Sequence, residues 1–223
     1  MKKLTFICIF VATYGFSQNA FMEYQFKAKR GTQSAILALT DDIWGDAEFK
    51  SGGINVEAMS IGNNMSSHRV VLYGDPANWG RKDSISEDKW QAFIQKLNNH
   101  VEKWTHSSSG NVLSWEGGSD DYQYVQIYEF SAANPMAFKA AHDKVVKDLS
   151  SIMGDRAVGF GTYEIGGFKG ATHWVAVSYK NWEDLILTGR KLQEQTKAME
   201  AYYKNRGDVN IIRNYTLNIA KAY

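Results

Sequence analysis

The chain has 223 residues, of which 44% are hydrophobic and 22% charged, with 25 basic residues against 24 acidic ones. That balance excludes the electrostatic footprint of a nucleic-acid binder or of a protein held on an anionic membrane. Two prolines and seven tryptophans exclude a disordered chain.

The first residues predict a secretory signal. Met1-Lys2-Lys3 is followed by an apolar run over 4–14 and by the small residues Gly15 and Ser17 before Gln18, which places cleavage after Ser17. The apolar run is too short for the ~20 residues that span a bilayer, so no membrane insertion is expected once the signal is removed. Cys8 is the only cysteine and lies inside this segment, too early to carry a lipoprotein anchor. The mature chain is therefore expected to have neither disulfide nor thiolate chemistry. Without Lys2 and Lys3 the count is 23 basic against 24 acidic residues. The expectation is a released soluble product, periplasmic or extracellular.

From Glu23 to Lys27 the chain alternates as a short strand. Thr32 to Trp44 carries Ile36, Leu39, Ile43 and Trp44 at helical spacing, and Ser51-Gly52-Gly53 ends that unit. Ile54 to Ser60 reads as a strand, Gly62-Asn63-Asn64 as a turn, and the residues from His68 as a third strand. Ser84 and Glu87 form a capping box before a helix whose stripe is Trp90, Phe93, Ile94, Leu97, Val101 and Trp104. Residues 106–110 read as a polar connector and 112–115 as a closing strand. The order is β-α-β-β-α-β.

The same order then recurs. Residues 122–130 alternate as a strand. Asn134-Pro135 supplies an N-cap and a proline at the first helical position, followed by a stripe of Phe138, Ala141, Val145, Leu149 and Ile152. Gly159 to Ile165 is a strand, 166–170 a glycine-rich turn, and His173 to Tyr179 another strand. A helix from about Asp184 to Lys204 and a strand over 211–220 complete the copy. Tyr24 with Tyr128, Gly62 with Gly167, His68 with His173 and Trp79 with Trp182 keep a nearly constant offset, which predicts two repeats, 18–118 and 119–223, after the signal at 1–17.

A single β-α-β-β-α-β unit is a ferredoxin-like sandwich with helices on one sheet face. Its other face is bare, and two copies cover both by turning their sheets together. The expected fold is α+β: two tandem ferredoxin-like units whose antiparallel sheets pack as an intrachain α/β barrel, a monomeric pseudo-dimer that leaves further oligomerisation open. In this the chain resembles the dimeric α/β-barrel superfamily, which includes antibiotic-biosynthesis-type monooxygenases, stress-responsive barrel proteins, haem-degrading monooxygenases and chlorite-dismutase-like haem proteins. The resemblance is one of topology over nearly the whole mature chain, and function follows from it only by analogy.

Strand parity separates a helix-packed face, His173, Val175, Val177 and Tyr179, from an opposite face with Thr172, Trp174, Ala176 and Ser178. Tyr124, Gln126 and Tyr128, Glu164, and Asn214 and Thr216 are expected beside the second face. These mix aromatic and polar groups, as small-molecule pockets do. The candidate substrate-binding set is thus Tyr124, Gln126, Tyr128, Trp174, Ser178 and Asn214. Glu164 is the candidate acid or base, because a carboxyl among aromatic rings has its pKa raised by desolvation.

No metal is expected, since no His-x-His, His-Glu-x-x-His or Cys-x-x-Cys spacing is present. His68 and His173 recur because the unit recurs and read as turn-satisfying residues. Asn78-Trp79 and Asn181-Trp182 read as strand stops, and the glycine pairs as turns. No cofactor is predicted; the alternative is haem on His142, which the resemblance suggests through the helical axial histidine of haem-binding barrels. The expected function is binding of a small aromatic or amphipathic molecule in the inter-sheet cavity. By analogy that includes cofactor-independent monooxygenase-like activity, with a non-catalytic cell-envelope interaction module as the alternative.

Overall fold

Eight strands close into one antiparallel barrel in the order β1-β3-β2-β8-β5-β7-β6-β4 in a computed structural model that describes residues 19–62 and 65–223. The expected signal segment 1–17 and, from the expected turn, Asn63 and Asn64 lie outside the described residues. The elements are β1 (Ala20–Ala28), α1 (Gln33–Trp44), β2 (Gly53–Met59), β3 (His68–Gly74), α2 (Glu87–Asn98), β4 (Val101–Glu116), β5 (Tyr124–Ala132), α3 (Pro135–Asp148), α4 (Ser150–Met153), β6 (Val158–Ile165), β7 (His173–Tyr179), α5 (Trp182–Glu194), α6 (Thr196–Asn205) and β8 (Val209–Ala222).

Within the first half the strands lie in the order β4-β1-β3-β2, and within the second in the corresponding order β8-β5-β7-β6. The barrel closes because β2 pairs with β8 and β6 with β4. The two longest strands do this work: β4 has 16 residues and β8 has 14, so each pairs within its own half and across to the other. Closure removes every sheet edge.

Alternation along each strand then gives two buried faces. The outer face carries the helices. Phe26, Ile54, Val56 and Val70 pack under Ile36, Ile43, Trp44, Phe93 and Leu97 of α1 and α2. Phe130 and Phe160 pack under Phe138 of α3, while Leu149, Met153 and Val158 meet Leu192 and Met199. Each such side chain contributes about 1.5–3 kcal/mol through burial. Helix starts follow local chemistry: Asn134 and Asn181 accept hydrogen bonds from Ala137 N (3.0 Å) and Asp184 N (2.9 Å).

Three sequence readings need correction here. The cap of α2 is Ser86, whose hydroxyl accepts from Lys89 N, rather than Ser84. The α2 helix ends at Asn98, and Val101 and Trp104 belong to β4, where Lys27 faces Lys103 and Phe26 faces Trp104. Pairing with β1 overrides the helical spacing, and the 106–110 "connector" is the middle of that strand. The long second-half helix is broken into α5 and α6 at Gln195. Among the described residues no helix is long and apolar enough to cross a membrane.

Candidate functional site: the barrel interior

Inward-facing residues divide the interior into an apolar wall and a charged network. The wall comprises Phe21, Val125, Ile127, Trp174, Ala176 and Leu217, with Tyr215 packed among them. Its most constrained member is Trp174. The indole lies over Gly161 of β6, where a Cβ would fall 2.6 Å from Trp174 Cε2, and borders Gly159, where a Cβ would meet Trp115 Cε3 at 2.4 Å and Trp174 Cζ3 at 3.2 Å. Two inward glycines thus form a flat floor that only a strand without side chains provides. Phe21 meets this indole edge-on at 5.6 Å and the Tyr163 ring at 5.8 Å.

The network begins at Arg69, which forms ion pairs with Glu57 through Nε and with Glu23 through Nη1 (2.8 Å). Arg69 Nη1 also donates to Tyr215 Oη at 3.2 Å, and Tyr215 in turn donates to Glu129 Oε1 at 3.0 Å. Arg213 holds Glu129 with two bonds, Nε to Oε2 at 2.7 Å and Nη2 to Oε1 at 2.8 Å. Tyr215 therefore joins an ion cluster of the first half to one of the second. Glu23 Oε1 is further served by Gln25 Nε2 (3.0 Å) and Ser108 Oγ (2.8 Å). Glu23, Gln25 and Glu129 are wholly or almost wholly buried.

Burying a charge is costly unless it is paired, and both guanidiniums are paired with carboxylates. Burial works against the Arg69 cation, but Glu57, Tyr215 and Glu23 outweigh it and hold its pKa well above the ordinary value. Burial also opposes the Arg213 charge, and Glu129 more than restores it. Burial pushes the hydroxyls of Tyr163 and Tyr215 well up, so both are donors across the physiological range. Phe168, in the loop between β6 and β7, lies 3.9 Å from the Arg213 guanidinium carbon and 5.9 Å from the His106 ring, covering the charged end of the interior.

The structure brings together only part of the set expected from sequence. Trp174, Ala176 and Ser178 point inward, and Ser178 Oγ accepts from Ala157 N at 2.7 Å. Tyr124, Gln126 and Tyr128 do not join them. The register of β5 with β7 sets Val125, Ile127 and Glu129 against Ser178, Ala176 and Trp174, so the three expected residues face outward. Tyr128 packs with Phe138 and Tyr202 under the helices, and Tyr124 donates to Thr216 at 2.7 Å. Asn214 faces Tyr128 and is exposed on the outer side of β8. Glu164 is likewise exposed, accepting from Thr162 Oγ1 (2.8 Å) and Asn111 Nδ2 (3.0 Å). It is thus not a carboxyl among aromatic rings, because Tyr163 takes the inward position of β6. In their place the interior holds Glu23, Glu57, Arg69, Glu129, Arg213 and Tyr215. Their one sequence signal is charge at alternate positions of strands that are buried on both faces.

His68 and His173 lie on the helix-packed face. His68 stacks on Phe26 and His173 on Phe130 and Phe160, while Ser67 and Thr172 meet their Nδ1 atoms at 2.8 and 2.7 Å. His142 also sits outside the barrel, between α3 and β6, with its ring 6.1 Å from Phe138 and 5.4 Å from Phe160. Its Nε2 is buried without a partner. An axial haem ligand needs an open face beside that nitrogen, and this ring is packed against two phenylalanines. The cavity beside α3, about 240 Å³, is lined by Ala137, Ala141, Ala198 and Tyr202 among others and does not include His142. The residues around His142 do not fit haem. Among the described residues no group of three or more His, Cys, Asp or Glu is placed to hold a metal.

No protein-family model matches the chain, and no curated protein matches it in sequence. Solved structures do match in shape. A proposed monooxygenase from Fusobacterium nucleatum is similar over 93% of this chain and 94% of its own, with a TM-score of 0.63 at 12% identity. A proposed monooxygenase from Lactobacillus acidophilus covers 92% and 98%, with a TM-score of 0.55 at 11% identity. A mutant chlorite dismutase from Candidatus Nitrospira defluvii covers 91% of each chain, with a TM-score of 0.50 at 10% identity. At these identities the likeness concerns fold alone, and with the closed eight-stranded barrel it gives this chain the fold of the dimeric α/β-barrel superfamily.

Proposed function

We propose that the chain is a tandem pair of ferredoxin-like units, exported after cleavage behind Ser17, whose barrel interior binds a small aromatic or amphipathic molecule. The repeated strand order of the two halves supports the tandem reading. The observation that carries the binding reading is the interior itself, an aromatic and aliphatic wall meeting a charged network inside one closed barrel. Pockets for small molecules combine these features. Packing between sheets alone would be served by aliphatic side chains without the desolvation cost of two arginines.

Monooxygenase-like chemistry extends this reading by analogy with the structural neighbours. A naphthol-type ring would give its hydroxyl proton to a base, and the electron-rich ring carbon would bond dioxygen as a peroxide. O–O cleavage with loss of one water would leave the quinone, dioxygen being the only oxidant, with water kept from the intermediate. Glu23 and Glu129 have both oxygens engaged, whereas among the described residues Glu57 is bonded only through Oε2. Glu57 is therefore the interior carboxylate with an oxygen left to take that proton.

Ligand-dependent thermal stabilisation across a panel of naphthols and hydroquinones tests binding, with an Ala176→Phe variant to set a ring into the interior. Stabilisation in the wild type that disappears in the variant is expected. A flat response across the panel, or one the variant retains, refutes the reading. Oxygen uptake that depends on Glu57 tests the catalytic extension. Export is checked by finding Gln18 at the N-terminus of the secreted product.

A second reading, a non-catalytic interaction module, is favoured by exposed apolar residues at one end of the barrel. Ile61, Met65, Ile165 and Ile211 are exposed there, at or just beyond the ends of β2, β3, β6 and β8. Under this reading Ile165→Asp with Ile211→Asp abolishes co-purification of a protein partner and leaves ligand stabilisation unchanged.

A further inference from the structure

The first helix of each half carries a buried polar residue at the same place, counted from the helix starts Gln33 and Pro135: Thr40 in α1 and His142 in α3. The two differ in chemistry. The Thr40 hydroxyl donates to Leu37 O at 2.9 Å and meets Tyr223 Oη at 2.8 Å, so it is satisfied and does not titrate. His142 is 5% exposed, with Nδ1 3.3 Å from Asp143 Oδ1 and Nε2 buried without a partner. Asp143 accepts from Nδ1–H, which leaves Nε2 as the place where a second proton enters.

That proton would meet no acceptor. The ring lies between Phe138 at 6.1 Å and Phe160 at 5.4 Å. The charged groups that face it are Asp143 and Lys139 on its own helix and Glu116 on β4. From β6 it meets Phe160, on whose ring His173 of β7 stacks at 5.7 Å, and from α6 Tyr202 abuts Phe138 at 6.3 Å. Glu116 is exposed and Asp143 is shared with Lys139. Burial therefore prevails and holds the His142 pKa below its ordinary value.

The helix itself is lightly held. Phe138, Ala141 and His142 are the residues it buries, and the cavity of about 240 Å³ lies between it and α6. One of three anchors is thus a group that acid can charge. We propose that α3 is an acid-released latch: protonation of His142 Nε2 frees the helix from the barrel and uncovers Phe130 and Phe160. Such a latch works whether or not the interior holds a ligand. It belongs to the second half alone, since α1 has Thr40 in its place.

The closed helix favours the neutral ring, so closure is complete above the released ring's pKa of about 6.5 and is lost as pH falls below it. At pH 5.5 the released ring is protonated about ten to one, so opening increases by as much as about tenfold over pH 7.5. Amide hydrogen exchange of the mature chain at the two pH values, corrected for intrinsic rates, reads this directly. Protection of the α3 amides is expected to fall by up to about tenfold while that of α1 holds. His142→Gln, neutral at both values, is expected to abolish the fall. Unchanged α3 protection, an equal fall in α1, or a fall that survives in His142→Gln overturns the proposal. Should the variant not fold, the wild-type His142 ring decides by NMR. Its titration is expected to track the opening of α3, and a ring that takes its proton while α3 stays protected overturns the proposal.

Discussion

Replacing Tyr215 with Phe removes one oxygen from the centre of the barrel and leaves the ring in place. The residue is 2% exposed, so the apolar packing is retained and the loss measures the hydroxyl. That hydroxyl accepts from Arg69 at 3.2 Å and donates to Glu129 at 3.0 Å. Hydrogen bonds to charged groups contribute about 1.5–3 kcal/mol each, but Arg69 keeps Glu23 and Glu57, and Glu129 keeps Arg213. The low end therefore applies to each, and the pair together is worth about 2–3 kcal/mol. For a chain of this size that is a fall in Tm of roughly 4–12 °C. Tyr124→Phe supplies the control, because its hydroxyl bonds only to the neutral Thr216 and is worth about 1 kcal/mol. Urea unfolding of both variants gives the comparison. If Tyr215→Phe costs no more than Tyr124→Phe, the ion clusters are not coupled through Tyr215 and the reasoning fails.

Gly161→Ala sets a methyl group against the Asn111 carbonyl oxygen and the Trp174 indole and is expected to cost about 1–3 kcal/mol by overpacking, read as a lowered thermal midpoint; an unchanged midpoint would contradict the close approach at this glycine. His68, His142 and His173 are buried and burial lowers their pKa values. The folded state thus holds them neutral, and stability is lost as pH falls below the unfolded value of about 6.5. Urea midpoints at pH 7.5 and pH 5.5 check this, and equal midpoints would contradict it. Asn181→Ala removes the cap bond to Asp184 N and is expected to cost about 1 kcal/mol, whereas Asn181→Gly should cost only a few tenths.

The order of elements could be read from the chain because each helix has one apolar stripe and each pair of strands a glycine-rich turn. Faces were harder to read. On β7 the alternation of Val175 and Val177 with Trp174 and Ala176 marks two surfaces, and parity assigned them as the structure does. On β5 both surfaces are buried, one by helices and one by the barrel, so Tyr124, Val125, Ile127 and Phe130 carry no directional signal. Glu129, one residue on from the expected Tyr128, is the one that is wholly buried and faces Trp174 across the strand pair. Ser107 to Gly110 failed for the same reason. Serines beside a glycine read as connector, yet Ser108 serves Glu23 and Ser109 donates to Phe21 O at 2.8 Å. What was missing was the partner across the barrel, which no local window contains.

The opposition of Arg69 and Trp174 has a meaning that lies in symmetry. Each follows the histidine that opens the third strand of its half. A barrel made of two identical chains would have to repeat its choice, placing two arginines or two tryptophans around the same axis. Joining the halves in one polypeptide lifts that requirement. One half can place an arginine where the other places a tryptophan, a difference that no homodimer of the same fold can achieve.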